Sequence, residues 1–449
     1  MHAVVCPRAP ALARVVIGWD EDVHLVSAPN ERLCHRQHAR AHGGFRRKRK
    51  GRNEHNAHGA DDTHSARSAK RARISTMDAV GIYVHIPFCR ARCTYCDFNT
   101  YVGQEALFEP YVQALEREIR EHHGEGHTLF FGGGTPSLLA PAQIERIIRA
   151  CREALALPHD AEITVECNPG TVTIEYLRAL RAIGVNRLSF GAQSANPNEL
   201  RLLGREHDWH TVVAALEAAR AAGFDNVNLD LIFGLPYQTL AHWQHTLRAA
   251  LALQPDHLSL YALTIEVGTP MHDWTRRGEM PLPDPDLAAA MYALAEEWLG
   301  AAGFVHYEIS NWHRPGKACQ HNLVYWRNGS YFGFGAGAHG ATPTLRYWRV
   351  RKPAEYIARI WRGENTIAGS EPITPETSRS ETMMLGLRLL EEGVSQARFA
   401  QRYGAPIAAF FAEALRRGEQ RGLIEVTPER VRLRPEARFV SNQAMMLFV

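Results

Sequence analysis

No stretch of this 449-residue sequence approaches the length and apolarity of a membrane span, so nothing in it signals an integral membrane helix. Cysteine is scarce: there are eight, three of them crowded between Cys89 and Cys96. Thiols so few and so unevenly spaced exclude a disulfide-stapled secreted domain, and the expected setting is a reducing cytoplasm where thiolates stay free to bind metal. The chain shows no apolar h-region followed by a small-residue cleavage site, which argues against a targeting peptide. The run Gly132-Gly133-Gly134 lacks the Lys-Ser/Thr that completes a phosphate loop, which removes nucleotide binding of that type.

Acidic residues are sparse at the start of the chain. Residues 1–76 hold 15 Lys+Arg against 7 Asp+Glu, net +8, and the remainder holds 36 against 41, net −5. The basic run Arg46-Arg47-Lys48-Arg49-Lys50 leads into a polar stretch, Gly51 to Ser75, without apolar periodicity. Such a composition cannot bury enough surface to fold alone and predicts a disordered arm. The arm is either a basic segment for nucleic acid or an anionic membrane, or the product of a misassigned start, with the protein beginning at Met77; the second reading is the expectation.

What the sequence does contain is a metal loop. An apolar strand ending at Ile86 runs straight into Cys89, Cys93 and Cys96 in C-x3-C-x2-C spacing. Thiolates bind soft iron or zinc, and three of them leave one iron of a [4Fe–4S] cube without a protein ligand, open to a substrate. A structural zinc site needs a fourth Cys or His to close it, and Asp97, Phe98 and Asn99 follow instead. Beyond the loop, short apolar segments alternate with amphipathic ones. The expected strands are Ile82 to Ile86, Thr128 to Phe131, Glu162 to Glu166, Arg187 to Gly191, Val227 to Ile232 and His257 to Ala262. The helices expected between them include Glu109 to His122, Pro141 to Ala156, Ile174 to Ala182, Trp209 to Ala222 and Leu240 to Leu253. This α/β alternation predicts a parallel sheet in a partial (β/α)6 barrel over residues 77–310, with ligands at the strand C-termini.

The cysteine spacing after a Tyr-x-His-Ile-Pro strand end resembles the radical S-adenosylmethionine (radical SAM) superfamily, in which the open iron chelates the amino and carboxylate groups of SAM. From Tyr83 to the C-terminus the chain is similar to the oxygen-independent coproporphyrinogen III oxidases and their relatives, the HemW haem chaperones. The resemblance implies that Cys89, Cys93 and Cys96 hold a [4Fe–4S] cluster. It also implies that Tyr83, Gly133, Gly134, Thr135, Glu166, Gln193, Arg205 and Asp230 contact SAM. Taken singly, these residues have plain structural alternatives: an ion pair for Glu166 and Arg205, a loop bridge for Gln193, a helix cap for Asp230.

Within the resemblance, Phe98 stands where the oxidases carry a fourth cysteine, and no oxidase-like capping segment precedes Met77. Asp97-Phe98-Asn99 and His321-Asn-Leu-Val-Tyr-Trp326 are instead typical of the chaperones. The expected function is therefore a haem chaperone that passes haem to apo-haemoproteins such as respiratory cytochromes. The alternative is the oxidase, which decarboxylates two propionate side chains through radical chemistry. His321, beside the flat rings of Tyr325 and Trp326, is the expected haem ligand, with His339 of the Gly-rich run as its competitor. No nucleic acid and at most peripheral membrane contact are expected, and dimerisation is left open.

Residues 311–374 are expected to extend the barrel and 375–449 to form a winged-helix-like module. Its helices would run Pro375 to Glu392 and Ala405 to Arg421, and its strands Leu423 to Val426 and Arg430 to Leu433. Its arginines suit DNA in principle, but the resemblance favours a lid or a protein-contact surface. A chain beginning at Met77 is expected to fold and to bind cluster and haem as the long form does. Loss of either binding on removal of residues 1–76, measured by iron content and haem titration, would show the arm to be functional.

Overall fold

Six parallel strands stand side by side in chain order in the computed structural model, which describes residues 79–449. They are β1 (Gly81–Ile86), β2 (Thr128–Gly133), β3 (Glu162–Cys167), β4 (Arg187–Gln193), β5 (Val227–Phe233) and β6 (His257–Ala262). The expectations for the basic arm, and for a start at Met77, fall outside the described residues. Side chains alternate between the two faces of each strand. Ile82, Val84, Leu129, Phe131, Ile163, Val165, Leu188, Phe190, Leu229 and Leu231 belong to the main hydrophobic core. The alternate set is far more polar and includes Thr164, Glu166, Arg187, Ser189, Asn228 and Asp230.

The crossovers are helical, as their three- and four-residue apolar spacing predicts: Phe108–Arg120, Pro141–Ala154, Ile174–Ala182, Trp209–Ala221 and Leu240–Ala252. Several start on side-chain caps. Thr173, Asp208 and Thr239 accept the backbone N–H of Tyr176, Thr211 and His242, and so satisfy donors that a helix start leaves orphaned.

The sheet continues past both edges of this set. On one side the hairpin β7 (Val305–Glu308) and β8 (Asn311–His313) adds through β8, antiparallel to β6. On the other, β9 (Tyr331–Phe334) lies parallel to β1, followed outward by antiparallel β10 (His339–Ala341), β11 (Leu345–Arg349) and β12 (Ile367–Pro372). A buried ion pair ties this outer sheet to the first crossover helix. Arg349 Nη1 lies 2.5 Å from Glu118 Oε1, with both side chains 3% exposed. Tyr356 and Thr366 each donate a hydroxyl to the same carboxylate at 2.7 Å.

The C-terminal module has its own core, built on Met383, Leu387, Phe399, Ile407, Leu415, Ile424 and Val431. Here the sequence reading needs correction. The helix expected to reach Glu392 is Pro375–Gly386, because Leu389 and Leu390 leave it to meet β7: Leu390 N–H donates to Tyr307 O at 3.0 Å. A further helix, Gln396–Tyr403, was not anticipated, nor was the two-residue strand Val394–Ser395 that completes a three-stranded sheet with Ile424–Val426 and Arg430–Leu433. The module's arginines are largely engaged by neighbours, Arg416 with Glu413 and Arg432 with Glu425.

Replacing Glu118 by Ala is expected to cost about 3–5 kcal/mol, because it leaves the Arg349 guanidinium charged and uncompensated in the core. Denaturant unfolding of E118A against the double variant E118L/R349M checks this, and the double variant is expected to be the more stable of the two.

Candidate functional site

The C-terminal ends of β1 to β6 surround a cavity of about 360 Å³ whose wall includes Cys89, Cys93 and Cys96. The loop bearing these thiols is held at its middle by Thr94. Its N–H donates to Leu203 O at 3.1 Å, its hydroxyl to Leu202 O at 2.6 Å, and its carbonyl accepts Met271 N–H at 3.1 Å. The glycine run after β2 is pressed against the start of the loop. Gly134 N–H donates to Ile86 O and Thr135 N–H to Phe88 O, and a Cβ on Gly134 would stand 2.7 Å from both the Ile86 and Phe88 oxygens. No side chain fits there, which is why the sequence carries glycine.

Two of the thiols have polar neighbours suited to a thiolate. Thr135 donates its hydroxyl to Cys89 Sγ at 3.6 Å, and Arg205 donates Nη1–H to Cys93 Sγ at 3.4 Å and Nη2–H to Gly191 O at 2.7 Å. Burial raises the pKa of the Cys89 thiol and takes that of Cys96 to about 12. Metal binding reverses this preference, since a coordinating thiol is deprotonated.

Gly133, Gly134, Thr135, Glu166, Gln193, Arg205 and Asp230 line the same cavity. Glu166 Oε2 accepts the Gly133 N–H at 3.0 Å. Gln193 sits at a positive φ of 63° and is 8% exposed, yet its Oε1 has no hydrogen-bond partner. A buried, orphaned amide oxygen in the cavity wall fits a polar ligand that the protein alone does not supply. Among the described residues no three His, Cys, Asp or Glu side chains close on a single metal ion. The thiols instead share one roomy wall, which suits a cluster with a ligand beside it.

Tyr83 is not among the lining residues; it stands beside Gly132, with its hydroxyl 3.0 Å from His85 Nδ1. His85 Nε2 faces the Asn99 carbonyl at 3.0 Å, so the proton is on Nε2 and Nδ1 accepts from Tyr83. Residues that sequence reasoning missed include Arg90, Arg92, Cys167, Ser189, Tyr261 and Glu266, all in the cavity wall. Ser189 was accessible through the period-2 rule, two residues before Gly191 on the same strand face.

His321 lies elsewhere, outside the cavity wall. It is 1% exposed and sits at the opposite end of the strands, beside Gly81 and Thr128, the first residues of β1 and β2. Both ring nitrogens are engaged: Nδ1 is 2.8 Å from Thr128 Oγ1 and Nε2 is 2.8 Å from the Tyr325 hydroxyl. An axial imidazole needs a free, directed nitrogen, and this ring presents none. His339 is not in the cavity wall either; it packs against Trp348 with ring centroids 6.1 Å apart.

Two family models match the chain: the radical SAM superfamily over residues 83–250 and the HemN C-terminal domain over residues 373–440. A protein named heme chaperone HemW from Bacillus subtilis is 37% identical over 373 residues, covering 82% of this chain and 98% of that one. The chain belongs to the HemW family of radical SAM proteins. The Escherichia coli heme chaperone HemW is 42% identical over 62% of this chain and 75% of its own. In fold, the chain is similar to the solved coproporphyrinogen III oxidase (HemN) from Escherichia coli, titled a radical SAM enzyme. The TM-score is 0.71 at 26% identity over 83% of this chain and 91% of that one. Membership of the radical SAM superfamily implies a [4Fe–4S] cluster and SAM, and the cavity wall described above fits both. No helix among the described residues is long and apolar enough to cross a membrane.

Burial lowers the His321 pKa to about 3 and that of His85 to about 4. The unfolded chain takes up these protons below pH ~6.5, while the folded chain resists until far lower. Their contribution to stability is therefore complete above pH ~6.5 and is lost on acidification toward 4, by up to about 1.4 kcal/mol per pH unit for each histidine. H321Q is expected to flatten that slope by up to about one proton, measured by urea unfolding between pH 4.5 and 7.5. It should leave the Soret band of added haem in place, whereas a shifted band would return His321 to the haem site.

Proposed function

We propose that this protein binds haem and transfers it to apo-haemoproteins, respiratory cytochromes among them, in the cytoplasm, and that its barrel carries a SAM-liganded [4Fe–4S] cluster. The observation that carries the reading is correspondence over almost the whole length of a relative named as a heme chaperone, 98% of the Bacillus subtilis protein. Phe98 supports it from within the site: a phenyl ring, not a fourth thiol, follows Cys96 in the cavity wall.

Cys89, Cys93 and Cys96 would hold three of the irons, with Thr135 and Arg205 donating to two of the sulfurs. When bound, the cluster supplies an open iron able to chelate the amino and carboxylate groups of SAM. Around it, Glu166 fixes the Gly133–Gly134 backbone, Gln193 offers its unsatisfied oxygen, and Asp230 offers a carboxylate. Tyr83 would act from behind Gly132. The similarity to the solved oxidase makes decarboxylation of a porphyrinogen the second reading, and Phe98 weighs against it.

The test is anaerobic reconstitution followed by two assays on one preparation. About four irons and four sulfides per chain are expected, with most of them lost in C93A. Haem added to the wild type should pass to an apo-cytochrome faster than free haem does. Coproporphyrinogen III with SAM and an electron acceptor should yield no protoporphyrin above background. Robust protoporphyrin formation would make the protein an oxidase, and stoichiometric zinc without iron would overturn the cluster.

A further inference from the structure

Cys93 is steadied from one short segment of chain. Thr94, the next residue of its loop, is bonded to the carbonyls of Leu202 and Leu203, and Arg205 reaches the Cys93 sulfur itself. These residues end the helix Pro197–Leu202 or follow it directly, and Arg205 N–H donates back to Leu200 O at 2.9 Å. Gly204, at φ +70°, is packed on the loop: a Cβ there would stand 3.1 Å from Thr94 Cγ2. A helix of six residues is too short to hold itself together, let alone in place. Its position therefore comes from what its side chains grip.

Glu199 provides that grip. It is 4% exposed, whereas the other charged residue of the helix, Arg201, faces solvent. Its Oε2 accepts the Ser194 hydroxyl at 2.5 Å and Gln238 Nε2–H at 3.1 Å. Ser194 directly follows β4, and Gln238 stands in the turn after β5, where its Oε1 accepts Leu235 N–H at 3.2 Å. Ser194 also accepts Asn196 N–H at 2.9 Å, and Thr246 of the helix Leu240–Ala252 accepts Ala195 N–H at 3.2 Å. One carboxylate thus ties the helix to the ends of two barrel strands. A buried carboxylate is costly, and an apolar side chain of similar volume would pack there at lower cost. What the carboxylate adds is direction, because its hydrogen bonds weaken steeply on displacement. Glu199 is outside the cavity wall, so this grip serves no ligand directly.

We propose that Glu199 is a positioning residue for the cluster: by pinning the helix Pro197–Leu202 to the ends of β4 and β5, it keeps the Arg205 guanidinium on the Cys93 sulfur. This rests on the reading of Cys93 as a cluster ligand. A donor on a ligating sulfur stabilises the reduced, more negative cluster and so raises its reduction potential. Glu199 then acts on the potential in two opposite ways. Its charge alone disfavours reduction, so removing that charge raises the potential. Its grip keeps Arg205 in place, so losing the grip lowers the potential. The sign of the change separates the two.

The experiment measures the reduction potential of the anaerobically reconstituted full chain, without SAM, by redox titration followed by electron paramagnetic resonance of the reduced cluster. R205M sets the reference: it takes a donor and a positive charge from the sulfur, and its potential is expected to fall. E199L is expected to shift the same way, and E199L/R205M to fall no further than R205M alone. E199Q, which keeps an acceptor oxygen for Ser194 and Gln238, should stay at the wild-type potential or rise. S194A leaves the carboxylate and removes one of its two donors, so a smaller fall is expected; it decides alone if E199L fails to fold or to load iron. Iron-loaded E199L and S194A at or above the wild-type potential overturn the proposal, even where their melting temperatures drop, since that is the mark of packing without positioning. Shifts that add in E199L/R205M overturn it as well, because Glu199 then does not act through Arg205. The parent reading fails separately: a wild type that takes up no iron removes the cluster itself, whereas a loaded wild type with unmoved variants removes only the positioning role.

Discussion

The return of the chain from Cys96 to the sheet depends on one side chain, Asn99. Its amide donates to Ala336 O at 3.0 Å and Arg351 O at 2.9 Å, its Oδ1 accepts from the Tyr101 hydroxyl at 3.2 Å, and its carbonyl faces His85. An amide with donors and acceptor all used is rigid in a way that a loop backbone is not. The partner surface is shaped to match: Gly337 has φ +84°, and a Cβ there would lie 2.4 Å from Asn99 Nδ2. The cluster loop is thus fastened at its far end to the outer sheet as well as at Thr94 to the helix ends. The spacing of three thiols is defined only because both fastenings hold.

The parallel sheet then solves a second problem. Residues scattered from Gly133 to Asp230 reach one cavity because successive strands deliver their C-termini to the same edge, and because every second side chain faces inward. The inward set is polar along its length, from Arg187 and His257 at the base to Asp230 and Glu166 at the top. Such an interior is stable only when its groups find partners, and Ser189, Asn228 and Ser259 link β4, β5 and β6 to provide them.

How much of this was legible in the sequence varied with the distance over which the cause acts. β6 and the helix Ile174–Ala182 were bounded correctly because local apolar periodicity and a threonine cap determine them. The other five barrel strands each run one or two residues longer than expected, since residues such as Gly133 and Gln193 carry little strand propensity and are drawn in by pairing. The cysteine loop was legible because its chemistry is compressed into eight residues, Cys89 to Cys96. Gln193, Arg205 and Asp230 were found through family resemblance, and in the fold they line one cavity. The helix Pro375–Gly386 was drawn too long, because what ends it is the pairing of Leu389 with Glu308, some eighty residues earlier in the chain.

The histidine motif shows the same limit more sharply. A His beside Tyr and Trp has the composition of a porphyrin grip, but composition does not say which way the rings point. In the fold, Glu162 caps the helix Gln320–Trp326, and Phe130 stacks on His321 at 5.2 Å. Trp326 lies under the Arg388 guanidinium at 4.2 Å, and Arg327 pairs with Glu392 at 2.7 Å. One face of this short helix therefore closes the base of the barrel and the other holds the C-terminal module, which makes the motif a junction. A haem ligated by His321 would have to displace Thr128 or Tyr325 from its ring. The junction and the cavity therefore stand at opposite ends of the strands, and the seat of the module shares no residue with the cavity wall.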